Sequence, residues 1–290
     1  MVCWRAPWID PEPAPVDPRD VAAIVARIAA LAADSAVILG SFHQSPLPTA
    51  LVLRLAGVGH VAATSVDYPG SLLDVRHRVD DDVHEVERSL ALVRALGHDL
   101  PPGDDGALRI VRTGGGDRPF AAPYVVVHPG TSVPARAWAP ERHAALVRAL
   151  VAAGRRVAVT GSPSETALTG RVAGAPHPAV ADLGGRTTLA GLAEVLAGAD
   201  VVVAGNTGPA HLAAAVGTPV VSLFAPTVPA VRWRPWRVRH VLLHRAVPCA
   251  GCRARACPVP GHPCLDDVAP GEVLAAVERL AAGVPEAVAA

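Results

Sequence analysis

The sequence predicts an α/β fold in two domains, the second a doubly wound parallel sheet. Three observations lead there. Short continuous apolar runs alternate with segments of helical periodicity. The apolar content is 51% with only 3% aromatic, a small-aliphatic composition suited to helices packed on a buried parallel sheet. The 290 residues suggest two domains at about 100–200 residues each.

In chain order, Ala36–Leu39 reads as a short strand, Pro48–Ala56 as a helix and His60–Ala63 as a second strand. Asp82–Leu96 places Val83, Val86, Leu90, Val93 and Leu96 on one helical stripe that ends at Gly97. The stretch 98–123 is rich in Gly, Pro and Asp, and 113–123 is the predicted linker between domains 1–112 and 124–290. Beyond it the alternation is regular: strands at Tyr124–His128, Arg156–Thr160, Val180–Leu183, Val201–Ala204 and Pro219–Phe224, with a weaker one at Val241–His244. Between them lie helices at Pro140–Ala153, Ser164–Ala173, Thr188–Ala199 and Pro209–Val216. An amphipathic helix at 270–282 closes the domain, with Val273, Leu274, Val277 and Leu280 on one face.

Composition excludes several functions. All 26 basic residues are arginine, which rules out a lysine Schiff base and a lysine-bearing phosphate loop. They cancel 26 acidic residues, and zero net charge argues against a nucleic-acid partner. No apolar run approaches the roughly 18 residues of a membrane span. Met1–Pro18 is proline-rich without an apolar stretch of signal-peptide length, so a cytoplasmic location with reduced cysteines is expected. No G-x-G-x-x-G follows a strand, which disfavours a dinucleotide oxidoreductase.

Ligands of open α/β sheets bind beyond the carboxyl ends of the strands, where helix N-termini present free amides. Three loops there join glycine with hydroxyls: His128-Pro129-Gly130-Thr131-Ser132 followed by Arg136 and Trp138; Gly161-Ser162-Pro163-Ser164-Glu165; and Gly205-Asn206-Thr207-Gly208-Pro209-Ala210-His211. Backbone amides in such loops can approach phosphate oxygens, and Arg136 supplies a fixed positive charge. Taken singly, each loop is an ordinary turn and cap, and His211 alone would read as a packed or capping histidine. Three on one sheet edge point to a diphosphate or nucleotide.

Residues 199–227, ADVVVAGNTGPAHLAAAVGTPVVSLFAPT, closely resemble the C-terminal signature of glycosyltransferase family 9, the ADP-heptose:lipopolysaccharide heptosyltransferases. HPGTSVPARAW, GSPSE and DLGGRTTLAGLAEVLAGAD fall in the family's order, and the likeness extends more weakly to SFHQSPLPTALVLRLAGV and HEVERSLALVRALG. The resemblance implies a GT-B architecture: two Rossmann-like domains across a cleft, the second holding an ADP-activated heptose or similar sugar and the first a lipopolysaccharide-core-like or other cell-envelope glycan or glycolipid. It implies inversion at the sugar centre without a catalytic cofactor or metal, and a transient association with the inner membrane surface. By position it assigns donor binding to His128, Gly130, Thr131, Ser132, Arg136, Gly161, Ser162, Glu165, Asn206, Thr207, Gly208, Pro209 and His211. Arg136 stands where the family usually has lysine, and Asn206 where it often has aspartate. His43 and Gln44 are acceptor-side candidates, a plain polar loop being the alternative. The chain opens on WRAPWIDPEPAPVDP instead of the family's strand and Gly-Asp turn, so the first βαβ unit with its catalytic aspartate is expected to be missing. No spacing gives that role to Asp10, Asp17 or Asp20. A truncated, inactive nucleotide-sugar-binding remnant is therefore the alternative to an active transferase.

Cys249, Cys252, Cys257 and Cys264 form C-x2-C-x4-C-x6-C in a Pro/Gly-rich loop, 249–264, with His262 nearby. This is the ligand count of a closed structural zinc site; reduced thiols or an incidental disulfide are the other readings. The spacing matches no common ferredoxin run.

Overall fold

In the computed structural model the described residues are 1–10, 12–41, 44–112, 114, 118–121 and 123–283. They form two compact units, Met1–Gly103 and Asp104–Ala290.

The first unit runs α1 (Pro18–Ala29), β1 (Ser35–Ile38), α2 (Leu47–Leu55), β2 (His60–Thr64), β3 (Val75–His77) and α3 (Glu85–Ala95). Its three strands are parallel in the order β1-β2-β3. Helix α1 is absent from the sequence prediction, although its start signals are plain: the Asp17 side chain accepts from Arg19 N at 2.8 Å and Pro18 opens the helix. Helix α3 starts at Glu85, later than predicted, because His84 is its N-cap and Nδ1 accepts from Val86 N. Ala50, Val58, Val61, Ala63 and Leu73 form the small core. Asp74 fixes the edge of β2 by accepting from Val61 N and Arg54, both at 2.6 Å.

The second unit contains β4 (Tyr124–His128), α4 (Pro140–Ala152), β5 (Arg156–Gly161), α5 (Thr166–Ala173), β6 (Val180–Gly184), α6 (Leu189–Ala197), β7 (Val201–Gly205), α7 (Gly208–Ala215), β8 (Val220–Leu223), α8 (Ala230–Trp233), β9 (His240–Leu243), α9 (Pro263–Asp266) and α10 (Pro270–Ala281). All six strands are parallel, in the order β6-β5-β4-β7-β8-β9. Strand side chains alternate between faces. Val125, Val127, Val157, Val159, Val201 and Val203 meet Leu146 and Leu150 of α4 and Val273 and Val277 of α10. Val126, Ala158, Val202 and Ala204 meet Val195 and Leu196 of α6 and Ala210 and Ala213 of α7. Burial on both faces is why β4, β7 and β8 read as continuous apolar runs instead of alternating ones.

The unit boundary falls at Gly103, ahead of the predicted 112/113. Asp104–Arg112 belongs with the second unit because Trp236 Nε1 donates to Gly106 O at 2.8 Å and Arg112 pairs with Glu194 at 3.5 Å. Residues 113, 115–117 and 122 of the predicted linker lie outside the described residues.

Candidate functional site

In the order β6-β5-β4-β7-β8-β9, consecutive connections leave in opposite directions between β4 and β7. A crevice at the carboxyl ends of those two strands is the general ligand position of such sheets. His128 ends β4 and Asn206 follows β7, so two of the three predicted loops flank that point.

Close approaches tie the loops together. A Cβ on Gly130 would fall 2.0 Å from Glu165 Oε1, so the carboxylate from the β5 loop occupies the space that the missing side chain leaves. A Cβ on Gly205 would come within 3.3 Å of the Arg136 carbonyl oxygen, which brings the turn after β4 against the end of β7. Gly130, Glu165, Arg136 and Gly205 are thus neighbours across three strands.

Each side chain has a definite environment. His128 is buried and shares a 3.0 Å hydrogen bond between Nδ1 and Thr160 Oγ1, its direction set by the tautomer. Burial lowers its pKa, opposed in part by the Glu165 charge. Glu165 Oε2 accepts from Ser162 N at 2.7 Å and from Ser162 Oγ at 2.8 Å, closing a capping box. Gly161 cannot carry a Cβ without meeting Thr169 Cγ2 at 2.6 Å. Thr131 spends its hydroxyl locally, donating to Val133 O at 2.7 Å and accepting from Val133 N at 3.0 Å. Ser132, beside it, is exposed.

Arg136 ends a short 3-10 turn, Pro134–Arg136. Its Nε is buried without a hydrogen-bond partner among the described residues, and burial alone pulls its pKa below the ordinary guanidinium value. A partly desolvated cation with no carboxylate beside it is a ready anion receptor. The turn is held from the other side: Ala135 N donates to Arg255 O at 2.9 Å, and His262 Nε2 lies 3.1 Å from Ala135 O.

Helix α7 completes the edge. Its N-cap Thr207 provides no side-chain cap, and the hydroxyl turns back to Gly205 O at 3.4 Å; at α6, by contrast, Thr188 Oγ1 accepts from Gly191 N. Of the first amides of α7, Pro209 has none and Ala210 N donates to Thr207 O at 3.1 Å, so Gly208 N is the one left for another acceptor among the described residues. Gly208 has nothing within 4 Å of its Cβ position, and Pro209 occupies the second helical place. Asn206 is 5% exposed at the base of the loop. His211 lies in the first turn, its ring 6.5 Å from that of Trp233 in α8. Trp233 and the buried Arg232 beside it escaped the sequence reading, because a four-residue helix carries no periodicity; the W-R-P-W run was the available signal.

Residues 42–262 match the family model described as glycosyltransferase family 9 (heptosyltransferase). The chain belongs to glycosyltransferase family 9. Among its family relatives, lipopolysaccharide heptosyltransferase 1 of Pseudomonas aeruginosa is 37% identical over 179 residues, 60% of this chain and 48% of that protein. Lipopolysaccharide heptosyltransferase 3 of Escherichia coli is 34% identical over 116 residues, covering 39% and 34%. The chain thus spans about half the length, or less, of these curated relatives. Among solved structures, the family 9 glycosyl transferase from Veillonella parvula superimposes with a TM-score of 0.76 at 16% identity, covering 91% of this chain and 78% of that one. E. coli heptosyltransferase WaaC with ADP-2-deoxy-2-fluoro heptose gives 0.65 at 23%, covering 90% and 76%. The fold of this family 9 chain is accordingly of the GT-B kind, with a parallel-sheet α/β unit in each half.

Gln44 closes a turn in the first unit, its Oε1 accepting from Ser41 N at 3.1 Å; His43 lies outside the described residues. Asp10 pairs with Arg5, Asp17 caps α1, and Asp20 accepts from Trp4 Nε1. Cys249, Cys252, Cys257 and Cys264 are free thiols. Among the described residues no group of three or more His, Cys, Asp or Glu stands at metal-binding geometry. No described helix is long and apolar enough to cross a membrane.

Proposed function

We propose that the second unit of this family 9 chain binds the diphosphate of an ADP-activated heptose or similar sugar, for transfer to a lipopolysaccharide-core-like or other cell-envelope glycan. One observation carries the reading: Arg136, with no anionic partner among the described residues, lies in the turn after β4 whose carbonyl abuts Gly205 at the end of β7, at the switch point of the sheet. In an inverting transfer the acceptor hydroxyl oxygen attacks the anomeric carbon as the bond to the diphosphate breaks. ADP departs with the bonding electron pair, and a base takes the hydroxyl proton. Arg136 and the Gly208 amide at the start of α7 would stabilise the charge growing on the diphosphate. Ser132 adds an exposed hydroxyl at the β4 loop. The acceptor is a glycan or glycolipid, reached by transient association at the cytoplasmic face of the inner membrane.

Nucleotide-sugar binding without turnover is the second reading. It is supported by the engagement of Asp10, Asp17 and Asp20 in structural hydrogen bonds, which leaves none of the three offered as the base. Calorimetric titration with ADP, then a turnover assay with ADP-heptose and a lipid-linked core acceptor, separates the two. Absence of saturable ADP binding would remove both.

A further inference from the structure

The loop from 244 to 262 contains neither helix nor strand. Structureless loops of this length are uncommon in compact domains and usually carry a function. It is tied to the body of the second unit at separated points: Gly251 N donates to Pro226 O, Arg253 N to Thr227 O, Ala135 N to Arg255 O, and Arg245 N to Cys264 O. Between these ties lies a cavity of about 20 Å³ lined by Cys249, Cys252, Cys257 and Cys264, with His262 and Thr227 at its wall. Such a volume holds about one water or one ion and no larger ligand. Thr227 is 3% exposed, and its Oγ1 is buried with no hydrogen-bond partner among the described residues. A buried hydroxyl left unsatisfied at a cavity wall signals a missing polar occupant.

We propose that these four cysteines bind one tetrahedral divalent transition-metal ion of the zinc or ferrous type. The three cysteines of the loop and Cys264 of α9 line one ion-sized space, and C-x2-C is the spacing by which a turn presents two thiolates to one metal. Binding replaces four S–H bonds by four metal–sulfur bonds and releases the thiol protons to solvent, leaving a dianionic centre. The thiols do not stand at ligand distance in this structure. Cys249 and Cys252 are exposed and Cys257 half-buried on a loop free of regular structure, so drawing them onto Cys264 moves no helix or strand. The ion closes a loop that has little core of its own, and holds it against the Ala135 turn.

The test is elemental analysis of the whole chain, purified reduced and without a metal-affinity tag. About one equivalent of zinc or iron per chain is expected, falling below about 0.2 in the Cys252→Ser/Cys257→Ser double variant. Cobalt replacing the native ion in the wild-type chain should show sulfur-to-cobalt charge-transfer absorption. Wild-type content below about 0.2 equivalents overturns the site. So does metal retained in full by the double variant, or a mass two hydrogens lighter that reveals a disulfide. Should the double variant fail to fold, the wild-type cobalt spectrum decides, and a spectrum without the charge-transfer band refutes thiolate ligation. None of these readouts depends on the donor-binding proposal.

Discussion

Replacing Arg136 by alanine should push ligand affinity and protein stability in different directions. The guanidinium is half-buried, and among the described residues its Nε has no hydrogen-bond partner and no carboxylate pairs with it. Leaving a buried donor unsatisfied costs about 1–3 kcal/mol, so removing it relieves a penalty while forfeiting some packing of the aliphatic stem. The ligand-free variant should therefore be as stable as wild type within about 1 kcal/mol, or more stable. With a diphosphate about 4 Å away, a unit charge pair at an effective dielectric constant near 20 is worth about 4 kcal/mol before exposure and salt reduce it. A net loss of about 2–3 kcal/mol raises the Kd for ADP about 30- to 150-fold. Urea unfolding without nucleotide and calorimetry with ADP measure the two effects separately. A variant less stable by more than about 2 kcal/mol that keeps wild-type ADP affinity would make Arg136 a structural strut, and the donor assignment would fall.

Gly130→Ala should expel the Glu165 carboxylate and open the capping box, costing about 1–2 kcal/mol; in a Glu165→Ala background the same change should cost little, and an equal cost in both backgrounds would exclude the crowding. His211→Ala should weaken ADP binding about 2- to 12-fold, the worth of one hydrogen bond; wild-type affinity by calorimetry removes His211 from the site. His143 is fully buried edge-on to Trp138, and burial holds its pKa at about 3 against 6.5 for an ordinary histidine. The unfolded chain therefore takes the proton first, and stability present above pH 6.5 is lost as the pH falls toward 3, by up to about 1.4 kcal/mol per unit. The lowered pKa of His128 acts in the same sense, and unfolding of His143→Leu between pH 7.5 and 5 should show a shallower slope than wild type.

What could be read from the sequence follows from burial. Strands β4, β7 and β8 are covered on both faces, and their valine runs announce them without any partner being known. Strand β3, Val75-Arg76-His77, is three partly buried residues whose pairing with β2 comes from tertiary packing and leaves no pattern. Helix α1 carries a start signal in Asp17-Pro18, with Ile24 and Ile28 four apart on one face, but the proline-rich run before it has the composition of a loop. At the site, glycine–hydroxyl loops ahead of helices are visible as motifs. That Glu165 fills the space beside Gly130, or that the Arg136 carbonyl presses on Gly205, depends on strands far apart in sequence becoming neighbours. The engagement of Thr131 with Val133 was equally invisible, since a threonine in such a loop suits a ligand and a local turn alike.

Ala135 is 1% exposed, and its main chain is held at both ends: the amide by Arg255, the carbonyl by His262. The guanidinium one residue along thus hangs from a strap whose far end is anchored more than a hundred positions later. Lengthening that strap, or twisting it at His262, would tilt the neighbouring cation without altering a single atom in any of the three glycine loops. Damage to the strap would then present, in a binding experiment, as a fault in phosphate grip.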